Sequence, residues 1–254
     1  MALVTSTLTN GILRVVLCNA RKRNPLSSEA LNQLECAFRT ASDKSCRAVV
    51  ITAEGPVFSA GHDLRELKSL DPQKQYELFA RCGSLMNSLR HLEVPVLAAV
   101  EGLAAAAGCQ LVAACDMAVA GPEARFSLPG ASVGLFCSAP SVPVVRCVGQ
   151  KAAAFMLYTG TNIDAIQALR FGLISHRAES NEALGALVED IVQDIARKPK
   201  DVISLGKRFL QREAKVQEVR SYEDAARVMA DNLQLKNGKE GLESFVEKRH
   251  PHWQ

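Results

Sequence analysis

Two short runs of small residues carry the strongest chemical signal in this sequence. Residues 58–64 read FSAGHDL, and residues 104–110 read AAAAGCQ. Gly61 and Gly108 let the main chain turn tightly and approach a ligand closely, because glycine has no Cβ. Two such turns can aim backbone N–H groups at one oxygen that gains negative charge during a reaction, and each donor typically contributes about 2.7–4 kcal/mol to catalysis. The pattern therefore predicts an oxyanion hole.

Composition and charge are those of an ordinary globular protein. The 254 residues are enough to bury a large core, 48% of them are hydrophobic and 22% are charged. The formal net charge of +3 is too small to indicate a nucleic-acid partner, since proteins that bind nucleic acids concentrate Lys and Arg on one face. We therefore expect one compact domain with an appended helical end.

Eight cysteines form neither a C-x-x-C pair nor a His/Cys spacing typical of zinc sites. Several lie in apolar runs, as buried thiols of a reducing compartment do. The sequence has no run of about 20 apolar residues and no secretory signal. We therefore expect no metal, no disulfide framework, no membrane span and no secretion.

The first half of the chain alternates between strand and helix patterns. Residues 4–9 and 12–18 predict a β-hairpin around an Asn10-Gly11 turn. Ser28 is the expected N-cap of a helix that runs to about residue 41. Short apolar runs predict buried parallel strands joined by helical crossovers. These strands are 48–52, 96–100 and 117–120, and the helices between them are 71–91 and 105–114.

Helical patterns dominate from residue 150 onward, and no repeat or low-complexity tract is present. The predicted helices are 151–159, 164–171, 181–197, 201–212, 222–235 and 239–249. The change in composition indicates a boundary between an α/β core and a helical end.

The two turns, together with further segments in the same order, resemble the crotonase superfamily of enoyl-CoA hydratases and isomerases. The similarity covers nearly the whole chain, and the run GLFCSAP at 134–140 is similar to one branch of the superfamily rather than to standard hydratases. The other matching segments are RKRNPL at 21–26, PVLAAVEG at 95–102, CDMAVA at 115–120, RFSLP at 125–129 and GKEGLESFVEKR at 238–249.

The resemblance implies an α/β fold of the crotonase type, a spiral of repeated ββα units with a C-terminal helical region. It divides the chain into a core at residues 1–195 and a helical trimerisation region at 196–254. In relatives such a helical end completes the pocket or packs on neighbouring subunits of a trimer, commonly in a dimer of trimers.

The resemblance also implies an oxyanion hole for a CoA thioester, with the backbone N–H groups of His62 and Ala107 as donors. The second donor would begin a helix whose dipole favours an oxyanion. The His62 ring is either a proton carrier or a spacer whose backbone alone matters, and Asp63 is expected to cap the next helix. The residues implied to contact CoA or its acyl group are Lys22, Arg23, Ala60, His62, Asp63, Leu64, Arg65, Ala106, Ala107, Gln110, Pro129, Gly130 and Leu135.

Three of these residues are cations that suit the phosphates of CoA, namely Lys22, Arg23 and Arg65. Each can equally be an ordinary surface charge, although family position favours Lys22 and Arg23. Near the C-terminus, Lys248 and Phe245 lie where related proteins reach a CoA, sometimes that of a neighbouring subunit. The resemblance implies no cofactor apart from the CoA thioester as substrate or ligand.

The chain departs from the family at the acid and base. Hydratases use two glutamates, whose positions are taken here by Gln110 and Gly130. Glutamine cannot exchange a proton near pH 7, and glycine has no side chain. Each general acid or base typically contributes about 10²–10⁴ to the rate, so hydratase activity is expected to be weak, and isomerase activity with it.

Other residues near these segments are candidate substitutes, with His62, Cys137 and Ser138 ahead of Ser127 and Ser132. A reactive thiol needs a lowered pKa, and only His62 is a candidate base for Cys137, so the thiol is also readily explained as structural. Glu101 and Glu123 flank the pocket segments at positions typical of turns and strand ends.

Three functions remain open. The first is an acyl-CoA-binding protein of fatty-acid metabolism with little hydratase activity. The second is an enzyme that acts on an acyl-CoA thioester with other residues, for example as a hydratase, hydrolase or lyase. The third is a non-catalytic interaction protein, since one relative binds RNA through a lysine-rich helix; the matching segment 28–41 carries Glu29, Glu35 and only Arg39 as a cation, which disfavours RNA.

Relatives of this kind generally carry a mitochondrial presequence, and the sequence begins almost directly with a predicted strand. The resemblance implies the mitochondrial matrix for a mature or trimmed form, and the cytoplasm for a bacterial homologue.

Overall fold

Strands and helices alternate in the first half of the chain, and a computed structural model describes residues 2–213 and 218–252. The strands are β1 Val4–Thr9, β2 Ile12–Leu17, β3 Ala48–Ala53, β4 Val96–Val100, β5 Leu103–Ala105, β6 Met117–Ala120, β7 Arg125–Ser127, β8 Ile163–Asp164 and β9 His176–Arg177. The helices are α1 Ser28–Arg39, α2 Leu64–Ser69, α3 Pro72–His91, α4 Ala107–Ala114, α5 Ser138–Thr159, α6 Ala165–Phe171, α7 Asn181–Ala196, α8 Lys200–Glu213, α9 Glu218–Asn232 and α10 Lys236–Glu247.

Two sheets form the centre of the α/β core. The larger has the strand order β1-β2-β3-β4-β6-β9, and all of its pairs are parallel except the β1–β2 hairpin. The smaller has the order β5-β7-β8. The predicted hairpin is confirmed, because Thr9 pairs with Ile12 and both turn residues, Asn10 and Gly11, have positive φ. The buried parallel strands at 48–53, 96–100 and 117–120 are confirmed as well.

Several predicted boundaries were wrong by a few residues. Ser27 and not Ser28 caps α1, because its side chain accepts a hydrogen bond from the N–H of Ala30. The helix predicted from residue 105 begins at Ala107, since Leu103–Ala105 pairs with β7 as a strand. The helix predicted at 151–159 is only the second half of α5, which begins at Ser138 and bends at Gly149, where φ is 73°.

The helical end packs back onto the core through α9. Its buried residues recur at helical spacing, and the helix packs against α3 and α5; they are Tyr222, Ala225, Ala226, Met229 and Ala230. At its C-terminal end the Asn232 amide donates to Gly134 O (2.8 Å), and its Oδ1 accepts from the N–H of Phe136 (2.8 Å). This helix therefore fixes the loop before α5.

A buried ion pair joins α8 to the core. Lys207 Nζ lies 2.7 Å from Asp116 Oδ2 and also donates to the carbonyl oxygens of Leu89 and Val94, both at 2.9 Å. Asp116 accepts further hydrogen bonds from the N–H of Val96 and from Gln211. Every donor and acceptor here has a partner, so removing one member leaves the others buried and unpaired.

We expect Lys207→Met to lower the free energy of unfolding by about 3–5 kcal/mol, because it leaves the Asp116 carboxylate buried without its cation. Urea denaturation followed by circular dichroism measures this loss. The exposed pair of Arg14 and Glu189 provides the control, and Arg14→Met should cost less than about 1 kcal/mol. Equal small losses in both variants would contradict a structural role for Lys207.

Candidate active site

The two glycine turns lie against each other through their backbones. Ser59 and Ala104 form an isolated parallel bridge, in which the N–H of Ser59 donates to Leu103 O (3.1 Å) and the N–H of Ala105 donates to Ser59 O (2.9 Å). The first turn thus extends the small sheet at β5. This pairing brings the two sequence segments to one place, as an oxyanion hole requires.

Close packing explains both glycines. A Cβ on Gly61, where φ is +89°, would lie 2.9 Å from the Ala106 Cβ and 3.2 Å from the Ala107 nitrogen. A Cβ on Gly108 would lie 2.5 Å from Ser59 O. Gly108 therefore permits close contact between the two turns. The sequence suggested that it makes a tight turn itself, but its φ is not positive.

The sharp turn before α4 is made by Ala106 instead. This residue has φ 49° and ψ −117°, a region that costs residues with a Cβ about 1–3 kcal/mol. Its N–H donates to Ser127 O (3.0 Å), and its carbonyl accepts from the N–H of Gln110 (3.0 Å). The strained turn leaves Ala107 as the first residue of α4, with its N–H directed out of the helix end.

Both predicted donors lack a partner within the part of the chain that the structure describes. Over residues 2–213 and 218–252, neither the N–H of His62 nor that of Ala107 donates a hydrogen bond, although Ala107 is fully buried. Buried N–H groups are normally paired, so such a group indicates a ligand or a bound water. A Cβ on Gly61 would lie only 3.2 Å from the Ala107 nitrogen, so the two donors belong to adjoining turns.

The loop that carries Lys22 and Arg23 is hydrogen-bonded to the first turn. The N–H of Ala60 donates to Arg23 O (3.0 Å), and the N–H of Leu26 donates to Gly61 O (2.8 Å). The Ser59 hydroxyl also donates to Asn24 O (2.8 Å). Both cations are exposed, so they lie at the solvent side of the candidate hole.

The His62 ring is held in one orientation. Its Nδ1 lies 3.0 Å from Leu26 O, and the ring packs edge-on against Phe79 with centroids 5.3 Å apart. A carbonyl only accepts, so Nδ1 carries the proton and Nε2 keeps its lone pair. Burial lowers the pKa of His62, although the Leu26 carbonyl opposes this shift. The geometry favours a neutral spacer over a proton carrier.

Asp63 is the N-cap of α2, as predicted. Its Oδ1 accepts hydrogen bonds from the N–H groups of Arg65 (3.0 Å) and Glu66 (3.3 Å). Leu64 begins this helix and is partly buried, whereas Arg65 is exposed.

Gln110 lies on α4 three residues after Ala107 and is fully buried. Neither its Nε2 nor its Oε1 has a hydrogen-bond partner among the described residues. Side chains on a helix lean toward its N-terminus, so the Gln110 amide lies over the turn that begins with the Ala107 N–H.

The position that the resemblance gives to the second glutamate has no room for a side chain. A Cβ on Gly130 would lie 2.0 Å from Leu135 O and 2.7 Å from Cys137 Sγ. The N–H of Leu135 also donates to Gly130 O (2.9 Å). Gly130 belongs to a short 3-10 helix, Pro129–Val133, and Leu135 is buried just after it.

The other candidate groups are dispersed. Burial raises the pKa of Cys137 to about 11, so its thiol stays protonated, and Ser138 is the first residue of α5. Ser127 is buried, whereas Ser132 is exposed. The two glutamates that flank the pocket segments, Glu101 and Glu123, are exposed, as expected of turn positions. Lys248 follows the end of α10, and Phe245 is half exposed.

One residue that the sequence did not indicate belongs to this site. Tyr222 on α9 is buried, and its hydroxyl has no hydrogen-bond partner among the described residues. Burial raises the pKa of this hydroxyl, and the nearby Gln110 amide opposes the shift only weakly. Tyr222 belongs to a helix far along the chain, so no local pattern could have placed it beside Gln110.

The described ranges contain neither a cluster of potential metal ligands nor a helix suited to a bilayer. Among residues 2–213 and 218–252, no group of three or more His, Cys, Asp or Glu side chains is arranged to hold a metal ion. In the same part of the chain, no helix combines the length and apolar character needed to cross a bilayer.

Comparison with known proteins identifies the family. The sequence profile of the enoyl-CoA hydratase/isomerase family matches residues 7–254. The chain therefore belongs to the enoyl-CoA hydratase/isomerase family, and the expected crotonase fold is confirmed.

Individual relatives match over nearly their whole length. The chain is 42% identical over 253 residues, 99% of its length and 84% of the relative's, to enoyl-CoA hydratase domain-containing protein 3, mitochondrial, of Rattus norvegicus. It is similar to the crystal structure of human enoyl coenzyme A hydratase domain-containing protein 3, with TM-score 0.82 and 40% identity over 99% of this chain and 100% of that chain. It is also similar to a putative enoyl-CoA hydratase from Mycobacterium avium paratuberculosis K-10, with TM-score 0.90 and 31% identity over 99% of each chain. The run at 134–140 indicated this branch of the family correctly.

We expect Gly108→Ala to lower the free energy of unfolding by about 1–3 kcal/mol, because the new Cβ would lie 2.5 Å from Ser59 O and force the turns apart. Thermal denaturation of the purified variant measures the loss. Gly185→Ala is the matched control, since a Cβ there meets nothing within 4 Å and should stabilise its helix by up to about 1 kcal/mol. Equal melting temperatures for the two variants would show that the turns do not depend on this contact.

Proposed function

We propose that this chain binds an acyl-CoA thioester whose carbonyl oxygen accepts hydrogen bonds from the N–H groups of His62 and Ala107. The observation that supports this most directly is the pair of unpartnered N–H groups on two turns in contact. Both donors belong to the main chain, so they depend on the backbone path and not on side-chain identity. They would stabilise negative charge on the thioester oxygen, as in an enolate or a tetrahedral intermediate.

The same site is poorly equipped to hydrate a double bond. Hydration needs one group to activate water and another to move the α-proton, each worth about 10²–10⁴ in rate. Gln110 is in the first of these positions and carries no titratable proton, and Gly130 lies against Leu135 O with no space for a carboxyl. Efficient hydration of an enoyl-CoA is therefore not expected, and the chain needs no cofactor beyond its thioester ligand.

Lys22 and Arg23 are proposed to bind the phosphates of CoA. Their loop is hydrogen-bonded to the first turn through Ala60, and both side chains extend into solvent. Exposed cations of this kind attract phosphate at a distance and contribute modestly at contact, so the contribution should diminish with salt.

A second candidate function is catalysis of another reaction on the thioester, such as hydrolysis, decarboxylation or C–C cleavage. The unpartnered N–H pair favours it, because stabilising an enolate or a tetrahedral intermediate needs no carboxylate at position 110 or 130. A panel of acyl-CoA substrates assayed for release of free CoA tests this candidate, and inactivity throughout would exclude hydrolysis.

Self-association as a trimer, or as a dimer of trimers, is also proposed. Exposed apolar side chains support it, because several lie on neighbouring helices as in subunit contacts; they are Phe155 and Tyr158 on α5, Ile166 and Leu169 on α6, and Val202, Leu205 and Leu210 on α8. The division into a core at 1–195 and a helical region at 196–254 stays a prediction. Light scattering would contradict assembly if the mass stayed at the 27.4 kDa of one chain.

We further propose a role in fatty-acid metabolism within the mitochondrial matrix. The support is that vertebrate relatives carry the word mitochondrial in their names. In a bacterial source the corresponding compartment is the cytoplasm. Fractionation of the source cells, with the chain detected by antibody, would contradict the matrix assignment if the chain appeared elsewhere.

Titration with acetyl-, crotonyl- and octanoyl-CoA tests the proposed function by calorimetry. We expect binding of at least one thioester, together with crotonyl-CoA hydration lower than that of an active hydratase by a factor on the order of 10⁴ or more, since two acid-base groups are missing. Loss of the enoyl absorbance measures the hydration. Lys22→Ala should weaken binding about two- to fivefold at low salt, whereas Lys44→Ala, in a distant loop, should not. Failure of all three ligands to bind would exclude the proposal.

We expect Gln110→Glu alone to leave hydration within about tenfold of the unmodified protein, because position 130 still supplies no second carboxyl. Gly130→Glu should instead lower the melting temperature, since its Cβ would meet Leu135 O. The enoyl assay and thermal denaturation measure the two effects. Hydratase rates restored by Gln110→Glu would mean that another residue already provides the second group.

A further inference from the structure

Three buried polar atoms on two neighbouring side chains, Gln110 and Tyr222, lack a hydrogen-bond partner among the described residues. They are Nε2 and Oε1 of Gln110 and the hydroxyl oxygen of Tyr222, each without a hydrogen bond among the described residues. Gln110 is fully buried and Tyr222 is 5% exposed. An unpaired buried polar group typically costs about 1–3 kcal/mol, so three at one place indicate a bound polar group.

The two side chains come from opposite sides of the site. Gln110 lies one helical turn after the Ala107 N–H, about 4.5 Å along the axis of α4, and leans back toward it. Tyr222 comes from α9 and crosses α3 at Gly83, where an added Cβ would lie 3.2 Å from the tyrosine ring. Glycine at position 83 thus lets the ring pass close to α3 and bring its hydroxyl beside the Gln110 amide.

Gln110 and Tyr222 together have more hydrogen-bond donors than a single hydrogen bond between them would use. The Gln110 amide offers two N–H donors, and the Tyr222 hydroxyl offers a third. Burial raises the pKa of Tyr222, so its proton stays in place near pH 7. If the Gln110 Nε2 gave one N–H to the Tyr222 oxygen, its second N–H and the Tyr222 O–H would remain, which is the number of donors that a single carbonyl oxygen accepts.

We propose that Gln110 and Tyr222 together bind a ketone oxygen on the acyl group, so that the preferred ligand is a 3-oxoacyl-CoA. This inference rests on the proposed function, because the thioester oxygen must occupy the hole formed by the His62 and Ala107 N–H groups. The second oxygen of a 3-oxoacyl thioester is two carbons further along, and we place it against Gln110, one helical turn after the Ala107 N–H. A saturated or enoyl chain has no oxygen there and leaves the two donors unpaired.

The pair would therefore determine specificity at positions where hydratases have acid-base catalysis. Gln110 retains the shape of glutamate but supplies a donor, and a donor is what a ketone oxygen requires. No bond is made or broken in this step; the two side chains position the acyl group and discriminate between thioesters. A site built to bond one oxygen rejects a ligand that lacks it, because its buried donors stay unpaired.

Calorimetric titration with acetoacetyl-CoA and butyryl-CoA tests this inference, because these thioesters have the same chain length and differ in the 3-oxo group. We expect acetoacetyl-CoA to bind at least about tenfold more tightly, the equivalent of one net hydrogen bond. Tyr222→Phe, which removes only the hydroxyl, should reduce this preference several-fold. Gln110→Met should reduce it further.

Tyr158→Phe is the matched control, since Tyr158 is 74% exposed whereas Gln110 is fully buried; this variant should keep the full preference. Circular dichroism of each variant confirms folding before titration. Equal affinity of the unmodified protein for both thioesters would overturn the 3-oxoacyl preference while leaving the proposed function intact. A preference that survives both Tyr222→Phe and Gln110→Met would overturn the assignment to these residues. Failure of both thioesters to bind would overturn the proposed function as well.

Discussion

The contact between the backbones of Ser59 and Gly108 is the constraint on which the site depends. A Cβ on residue 108 would lie only 2.5 Å from Ser59 O, which also accepts the hydrogen bond that extends the small sheet. Because this approach is so close, the first turn of α4 begins beside the 58–64 segment. The strained backbone of Ala106 completes the arrangement, and its cost of about 1–3 kcal/mol is offset by the hydrogen bonds of its N–H and carbonyl. Two unpartnered donors are the result.

The C-terminal helices belong to the same site although they lie far along the chain. Through Asn232, α9 holds the loop before α5, and through Tyr222 it reaches the Gln110 amide on α4. Met229 Sδ also accepts a hydrogen bond from the N–H of Ala139 (3.4 Å) at the start of α5. The buried pair of Lys207 and Asp116 fixes the preceding helix to the core, so the stability of the helical end and the shape of the pocket are physically coupled.

Local signals made much of the fold predictable from sequence. Asn10-Gly11 specifies the hairpin because both residues adopt positive φ, and the apolar runs at 48–53 and 96–100 specify strands covered on both faces. The role of Gly108 was interpreted wrongly, because a glycine needed for close approach and a glycine needed for a turn look alike in a sequence. Tyr222 was missed for a different reason. Nothing in its neighbourhood along the chain indicates that α9 crosses α3 at Gly83, since only tertiary packing brings these positions together.

The crowding around Gly130 has an evolutionary meaning. Had an ancestral chain carried a carboxyl at this position, its loss would not have been reversible by one substitution, because Leu135 O and Cys137 Sγ now occupy the space that the Cβ needs. A return to hydratase chemistry would require the 134–137 loop to change its path first, and Asn232 holds that loop by two hydrogen bonds. The backbone therefore opposes the return of a carboxyl at position 130. A new activity would require fewer changes if it used residues that already face the hole.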